Sequence, residues 1–303
     1  MAKNFEDTKW HSYTSSTQTM RTWAIRLKTF EDVPEEFKSA FPDAAKPFPY
    51  TVLIPEDKLS RANKRNKQMI CAYDDHFLLL EQIDDETESV SVQFADVFYL
   101  ERGMILLHSW LEIVTASGSY TLTFNTTNEA LFNPIIEKIR QGMSGDRALA
   151  VTNGGEKDTP DLAQFDYLES VNYKYLNYGR KSIRPTDAVV SIAYQPEQTI
   201  KELSFFQQTI FRRYKTSHLA ILTAQELILI REPTSIRTNR DNTDGGIFTY
   251  IPRRQIRNMS LAADGENAPC IMEIALPENE FLACEFSSAN EELKRLQQAC
   301  EAA

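Results

Sequence analysis

The segments Phe124-Asn-Thr-Thr-Asn-Glu-Ala-Leu131 and Phe286-Ser-Ser-Ala-Asn-Glu-Glu-Leu293 are identical at four positions and lie 162 residues apart (286 − 124). Each contains a hydroxyl residue three positions before a glutamate, as Thr126-x-x-Glu129 and Ser288-x-x-Glu291. This spacing predicts a capping box. In this motif the hydroxyl oxygen accepts a hydrogen bond from the N–H three residues further on, and the glutamate carboxylate accepts one from the N–H of the hydroxyl residue. The same helix start at two equivalent places predicts that one unit occurs twice in the chain.

A hairpin pattern also occurs twice, upstream of these two segments. Apolar runs flank a short polar turn at Met69–Tyr73 and Phe77–Leu80, and again at His218–Leu222 and Leu227–Ile230. Paired runs of this kind indicate a β-hairpin. The hairpins are 150 residues apart (229 − 79), so the second copy is 12 residues longer (162 − 150). The polar stretch Thr234–Gly245 accounts for the difference, because insertions belong in surface loops.

Helical periodicity precedes each copy and also closes it. Apolar residues recur every three or four positions from Met20 to Phe30, and a longer helix is predicted from Leu162 to Tyr178. A short helix is predicted to start at Pro34. The closing stripe after Leu131 contains Pro134, which either kinks this helix or begins a new one.

These patterns divide the 303 residues into four parts. Residues 1–48 form an N-terminal arm and helix, and residues 49–143 form the first β-rich copy. Residues 144–186 form a linker and an amphipathic helix, and residues 187–303 form the second copy. Each copy is long enough to bury a core of its own.

The second hairpin carries a family resemblance. His218-Leu-Ala-Ile-Leu-Thr-Ala-Gln-Glu-Leu-Ile-Leu-Ile230, followed by Ile247-Phe-Thr-Tyr-Ile-Pro252 and Ile256, resembles bacterial pleckstrin-homology-like (PH-like, GRAM-like) domains. The segment Asn172–Gly179, with Pro196-Glu197 further on, resembles the leader of uncharacterised bacterial proteins of this kind. The resemblance covers roughly residues 50–142 and 187–303.

This resemblance implies an α+β, mainly β chain. It would hold two tandem PH-like bent barrels, each closed by a C-terminal helix, with additional helices before each copy. The family hosts many binding roles, so it implies no single function.

Charge and composition exclude several classes of protein. The net charge is −10 and the pI is near 5.1, which disfavours nucleic acid or an anionic membrane as a general partner. Met1–Trp10 is polar, so we expect no signal peptide, and no apolar run is long enough to predict a membrane span. The four cysteines are scattered and form no C-x-x-C pair. Together these features predict a cytoplasmic protein.

Two basic regions are candidate ligand sites. Cations on a short loop can contact phosphate oxygens, and the first region matches in position the basic loop of lipid-binding family members. The candidate ligand-binding residues are Lys58, Arg61, Lys64, Arg65 and Lys67, and the possible second basic patch comprises Arg253, Arg254 and Arg257. The histidines have no metal-ligand spacing, and no catalytic motif is present, so we expect no cofactor, no metal and no enzymatic activity.

The leading hypothesis is therefore a non-catalytic interaction or scaffold protein. A protein or peptide partner would dock on exposed sheet edges, beside the C-terminal helix or on strand loops, and a homo-oligomer remains an option. The alternative is peripheral binding of an anionic lipid or phosphorylated ligand through Lys58–Lys67. A weaker alternative is an enzyme with a site between the copies.

Overall fold

The computed structural model describes residues 3–4, 22–41, 47–57, 65–145, 162–205, 208–215, 217–232, 245–263, 270–288 and 290–301. Within these ranges the chain is mainly β, as the sequence predicts, with short helices between and after the strands. No helix in the described part is both long and apolar enough to cross a membrane.

The first nine strands come from the N-terminal half of the chain. They are β1 (Lys3–Asn4), β2 (Ile25–Leu27), β3 (Tyr50–Ile54), β4 (Lys67–Ala72), β5 (His76–Ile83), β6 (Glu86–Gln93), β7 (Val97–Ile105), β8 (His108–Thr115) and β9 (Gly118–Asn125). The other nine come from the C-terminal half. They are β10 (Val189–Gln195), β11 (Gln198–Phe205), β12 (Gln208–Lys215), β13 (His218–Thr223), β14 (Glu226–Arg231), β15 (Gly245–Pro252), β16 (Asn258–Ala263), β17 (Cys270–Ala275) and β18 (Phe281–Phe286). The α-helices are α1 (Glu35–Lys38), α2 (Glu129–Ser144), α3 (Leu168–Val171), α4 (Tyr173–Ser182) and α5 (Glu291–Glu301).

The chain folds into two compact units. The N-terminal unit contains Lys9–Val97 and Leu106–Leu149, and the C-terminal unit contains Met1–Thr8, Phe98–Ile105 and Ala150–Ala303. Most of β7 therefore belongs to the C-terminal unit, although its neighbours in sequence do not. The four-part division proposed from the sequence stays a prediction.

In the N-terminal unit, five strands pair in the order β2-β3-β4-β5-β6, and β8 pairs with β9. The hairpin β4–β5 confirms the first predicted hairpin. Phe37 of α1 is fully buried in a cluster with Leu53, Met69 and Leu78, so α1 covers part of this sheet. The inner strands β3 and β4 and the first half of β5 are accordingly nearly continuous runs of buried residues.

The predicted helix from Met20 to Phe30 is wrong over the described residues. Ile25–Leu27 instead forms β2, which pairs antiparallel with β3, and a 3₁₀ turn follows at Phe30–Asp32. A short isolated helix is only marginally stable, whereas an edge strand gains the hydrogen bonds of an existing ladder. The short helix predicted near Pro34 is confirmed as α1.

In the C-terminal unit, β10, β13, β14, β15 and β7 pair side by side in that order, all antiparallel. A second sheet has the order β1-β18-β17-β16, in which β1 is parallel to β18. The pair β13–β14 confirms the second predicted hairpin. The hairpin β11–β12 was not predicted from the sequence. No sheet closes on itself within the described ranges.

The order of elements recurs in the two halves. Each half contains four neighbouring strands of one sheet (β3–β6, or β10 with β13–β15), then a short 3₁₀ turn (Phe94–Asp96 or Arg253–Gln255), three strands and a helix. The hairpin β11–β12 is additional to this order in the second half. The registers agree as well, since Leu79 lies opposite Ile70 and Leu229 lies opposite Ala220, both 150 residues further on. The 12-residue insertion falls almost entirely outside the described residues.

The closing helices α2 and α5 begin at Glu129 and Glu291, at the predicted places, but the capping boxes are wrong. Asn290 Oδ1 accepts from the N–H of Leu293 at 2.8 Å and caps α5. The corresponding Asn128 precedes α2, and its Oδ1 accepts from the N–H of Ala24 at 3.2 Å. An asparagine oxygen accepts a hydrogen bond from a free N–H as readily as a hydroxyl oxygen does. An asparagine directly precedes both Glu129 and Glu291.

The remaining helices also differ in part from the sequence predictions. Helix α2 continues through Pro134, so no second helix starts there. The predicted helix from Leu162 to Tyr178 is interrupted at Asn172, which has φ −159° and ψ 92°. Its side chain accepts from the N–H of Tyr175 and starts α4. Asparagine favours such a cap because its oxygen competes with the helical backbone for N–H groups.

Candidate functional site

The predicted basic loop is only partly described by the structure. Lys58, Arg61 and Lys64 lie outside the described residues. Arg65 is buried, and its guanidinium donates to the carbonyl oxygens of Pro55 at 2.8 Å, Thr22 at 3.0 Å and Thr123 at 3.0 Å. These bonds join three separate backbone segments, so they give Arg65 a role in holding the fold.

Lys67 is also engaged inside the unit. Its Nζ forms an ion pair with a carboxylate oxygen of Glu36 in α1, and the side chains are 26% and 28% exposed. This lysine therefore ties β4 to the segment that covers the sheet. Neither Arg65 nor Lys67 presents a free cation on the surface.

The second basic patch also divides between roles. Arg253 donates from Nη2 to the carbonyl oxygen of Ala299 at 2.8 Å, in the last turn of α5. The last carbonyls of a helix lack partners in the helix, and a cation there is favourable. Arg254 and Arg257 are exposed on the same connection.

Within the described ranges, no group of three His, Cys, Asp or Glu side chains could hold a metal ion. Cys71, Cys270 and Cys284 are buried, and burial raises the pKa of the Cys71 thiol to about 12. Such a thiol stays protonated at neutral pH and is a poor nucleophile. Cys71 therefore acts as a packing residue in β4.

A different feature stands out in the N-terminal unit, at the outer edge of β6. This strand is the last of its sheet, and β5 is its sole partner in the described part of the chain. A two-residue turn joins the two strands, and Phe94 N–H donates to Asp75 O just beyond the opposed pair His76 and Gln93. In an antiparallel ladder, hydrogen-bonded and non-hydrogen-bonded residue pairs alternate. The backbone N–H and C=O groups of Thr87, Ser89 and Ser91 therefore point away from β5.

The edge of β6 has the features of a strand that can accept another. It is eight residues long, contains no proline, and its Ser89 and Ser91 are exposed. Unpaired backbone N–H and C=O groups on such an edge are a template for pairing with another chain. The acidic side chains Glu86 and Glu88 discourage pairing between identical edges.

A cleft of about 180 Å³ adjoins this edge; we call it the open cleft. Its apolar wall is formed by Leu79 of β5, Val90 of β6 and Leu122 of β9. Its polar wall includes Gln68, Glu81 and Glu88, and residues 119–121 of β9 complete it. The volume is that of one long side chain rather than of a small-molecule ligand.

The polar wall is acidic and holds an unsatisfied acceptor. Glu81 accepts from the side-chain amides of Asn66 at 2.8 Å and Gln68 at 3.3 Å, which fix its carboxylate. Glu88 is exposed and has no ion-pair partner among the described residues. Gln68 Oε1 is buried and accepts no hydrogen bond within the described ranges. A buried acceptor of this kind is costly unless a donor reaches it.

The equivalent place in the C-terminal unit is almost filled. The corresponding lining residues are His218, Leu229, Arg231 and Cys284, and the cavity among them is about 10 Å³. The correspondence follows from the registers, in which Gln68 faces Glu81 and His218 faces Arg231. We call this the closed cleft. The outer edge of β15, the counterpart of β6, is occupied by β7.

The closed cleft shows how an added strand is held. Arg231 Nη2 forms an ion pair at 2.9 Å with Glu101 Oε2 of β7, and Glu101 and Arg231 are nearly buried. Thr249 of β15 lies opposite Glu101 and donates from Oγ1 to the same oxygen at 3.4 Å. The His218 ring packs edge-on against Phe286, with ring centroids 4.6 Å apart.

Sequence reasoning did not single out the open cleft. The predicted docking modes included exposed sheet edges, but no residue of β6 was named. The sequence nevertheless contains a signal. Glu81 and Arg231 occupy equivalent positions of the two hairpins, and they carry opposite charges. A charge reversal between equivalent positions of two copies marks a place where their surroundings differ.

No protein-family model matches the chain, and no curated protein matches it significantly. The function therefore has to be inferred from the geometry of the chain itself.

Proposed function

We propose that the protein is a non-catalytic interaction module built on two tandem PH-like domains. Its N-terminal copy binds an extended segment of a partner protein by strand addition to β6. The fold part of the proposal is supported by an order that recurs apart from the hairpin β11–β12: four neighbouring strands of one sheet, a short turn, three strands and a helix. The family is a superfold, so the binding mode rests on the site and not on the fold.

The observation that carries the proposal is the different use of two equivalent edges. In the C-terminal half, β15 pairs on its outer side with β7 over residues 245–250. In the N-terminal half, its counterpart β6 has no outer partner among the described residues. The geometry of the repeat therefore already accepts an added antiparallel strand at this position.

The energetics suit a reversible interaction. A partner strand would form backbone hydrogen bonds with Thr87, Ser89 and Ser91, each contributing roughly 0.5–1.5 kcal/mol net. The open cleft would take one side chain and remove the apolar surface of Val90 from water. Main-chain bonds supply affinity in this mode, and the pocket supplies specificity.

The test is a selection of peptides displayed on phage against the intact chain, followed by binding measurements with the Ser89→Pro variant. Proline removes the outward N–H of Ser89 and leaves the ladder between β5 and β6 intact. The matched control is Ser89→Ala. We expect selected peptides to lose binding to Ser89→Pro and to keep it with Ser89→Ala, provided both variants melt as the parent does. Peptides that bind both variants equally would refute strand addition at β6.

The alternative, an anionic lipid or phosphorylated ligand, finds less support. Two of its five cations, Arg65 and Lys67, form internal contacts. It would have to rest on Lys58, Arg61 and Lys64. Sedimentation with acidic and with neutral liposomes at low salt tests binding to an anionic lipid. This hypothesis requires that more protein sediments with the acidic liposomes than with the neutral ones.

A further inference from the structure

We propose that the segment bound at β6 is a basic strand, with a lysine or arginine that enters the open cleft. This inference rests on the proposed function and adds the chemistry of the partner. It follows from comparing the open cleft with the closed cleft, where the chain itself shows what an added strand must supply.

The first step is the position of the charged side chain on the added strand. In the C-terminal unit, Glu101 of β7 lies opposite Thr249 of β15. It meets the side chain of Arg231, which lies opposite Ile247 on the neighbouring strand β14. Gly103 of β7 faces Ile247 and has no side chain to obstruct the arginine. The added strand therefore carries an acid at one position and a small residue two positions later.

The second step is the charge at the equivalent positions of the N-terminal unit. Glu81 lies opposite Glu88 just as Arg231 lies opposite Ile247, and Val90 stands where Thr249 does. The fixed charge on the inner strand is thus reversed from positive to negative. A strand in the same register must therefore carry a cation opposite Val90, because an acid there would face Glu81 and Glu88.

The third step is the fit of a long cation to the cleft. The apolar wall of Leu79, Val90 and Leu122 suits the methylene stem of lysine or arginine. The head group would reach Glu81 and Glu88 and could donate to Gln68 Oε1, which lacks a donor among the described residues. One side chain would thus satisfy a buried acceptor and two carboxylates. The open cleft, with a volume of about 180 Å³, accommodates such a side chain, whereas the closed cleft, with about 10 Å³, does not.

The test uses a strand taken from the chain itself. Two peptides of residues 97–105 carry a neutral poly(ethylene glycol) tail, and one of them has the change Glu101→Lys. Fluorescence anisotropy measures their binding to the intact protein, and hydrogen exchange locates it. We expect the Glu101→Lys peptide to bind at least about tenfold more tightly than the unchanged peptide. It should protect the amides of Thr87, Ser89 and Ser91.

Charge reversal in the protein provides the matched experiment. The variant Glu88→Arg should reduce or invert the preference between the two peptides, since Glu88 is exposed and its replacement leaves the fold intact. The variant Glu81→Arg should do so more strongly, although it also removes the acceptor of two amides. The control Glu169→Arg makes the same change of net charge at an exposed position of α3 and should leave the preference unchanged.

The outcomes separate this inference from the proposed function. If both peptides protect β6 with equal affinity, strand addition stands and the requirement for a cation is refuted. If neither peptide protects β6, strand addition and the basic partner both fail. A third outcome is that the protein alone forms a dimer, which Ser89→Pro dissociates and with which neither peptide competes. In that case the edge of β6 binds a second copy of the chain, and the proposal is overturned.

Discussion

The open cleft and the closed cleft lie at equivalent places in the two copies of the repeat. Five lining residues of the open cleft have equivalents that line the closed cleft: Gln68, Leu79, Leu80, Glu81 and Leu122 correspond to His218, Leu229, Ile230, Arg231 and Cys284. At the closed cleft, Glu101 of the added strand β7 forms an ion pair with the lining residue Arg231, and the cavity is about 10 Å³. At the open cleft no strand is added within the described ranges, and about 180 Å³ remains. The difference teaches that one copy pairs with a strand at the outer edge of β15, whereas the equivalent edge of β6 ends its sheet and has the opposite charge on the inner strand.

The largest expected effect comes from removing Glu101, the acid that forms an ion pair with Arg231 of the closed cleft. The change Glu101→Ala leaves Arg231 buried without this carboxylate, and breaking a buried pair costs roughly 3–5 kcal/mol. Urea unfolding should show this loss in the free energy of unfolding. The control Glu88→Ala, at the open cleft, should change it by less than about 0.5 kcal/mol. Equal effects of the two changes would contradict the distinction between the clefts.

The next effect concerns the edges of β9 and β18, the last strands of the two copies. The edge of β18 pairs with β1, whereas the carbonyl of Thr123 in β9 accepts from the guanidinium of Arg65. The change Arg65→Ala should lower the free energy of unfolding by roughly 2–3 kcal/mol, because it removes charge-assisted bonds to three backbone segments.

Thermal and urea unfolding measure the effect of Arg65→Ala, and Arg257→Ala is the matched control at an exposed position. A loss no larger than that of Arg257→Ala would show that the internal bonds of Arg65 are dispensable. Arg65 would then be available to an anionic ligand after all.

A smaller effect tests the contact between β15 and β7. A Cβ atom on Gly245 would lie 2.4 Å from the carbonyl oxygen of Met104, which is backbone and cannot rotate away. The change Gly245→Ala should therefore cost roughly 1–3 kcal/mol, as overpacking does. Hydrogen exchange should show faster opening of β7. The equivalent change on the open edge, Glu86→Ala, should have no such effect, and faster exchange there would argue against the open edge.

The smallest effect compares the starts of the two closing helices. Asn290→Ala removes the acceptor for the N–H of Leu293 and should cost about 1 kcal/mol in the free energy of unfolding. Asn128→Ala should instead release the N–H of Ala24, so its effect should appear as faster hydrogen exchange at that residue. If Ala24 exchanges at the same rate in the variant and the parent, Asn128 has no such role.

Local patterns predicted what local interactions determine. The hairpins β4–β5 and β13–β14 follow from apolar runs separated by a short turn, and both were found with the same register. The closing helices were also found where the repeat places them. The predicted helix from Met20 to Phe30 was wrong because β2 pairs with β3, whose partner residues lie 24 to 28 positions further along the chain (51 − 27 to 53 − 25). The local spacing of apolar residues does not reveal such a partner.

The open cleft could be predicted only in part. The basic residues that sequence reasoning chose lie on a loop, and the two that are described make internal bonds. Their charge was visible in the sequence, but their burial was not, since it depends on segments such as Thr22 and Thr123 that are distant along the chain. The decisive residues, Glu81 and Glu88, look like ordinary surface acids until the pairing of β7 with β15 shows what their counterparts do.

That pairing also dictates an order of events during synthesis. Glu101 and Thr249 are separated by 148 residues, so a ribosome working at roughly 5–20 residues per second needs about 7–30 s between them. For that interval the apolar strand β7 has been synthesised but its partner β15 has not. The nascent chain therefore exposes an aggregation-prone edge, and slow elongation or early termination before residue 250 should make the fragment dependent on chaperones.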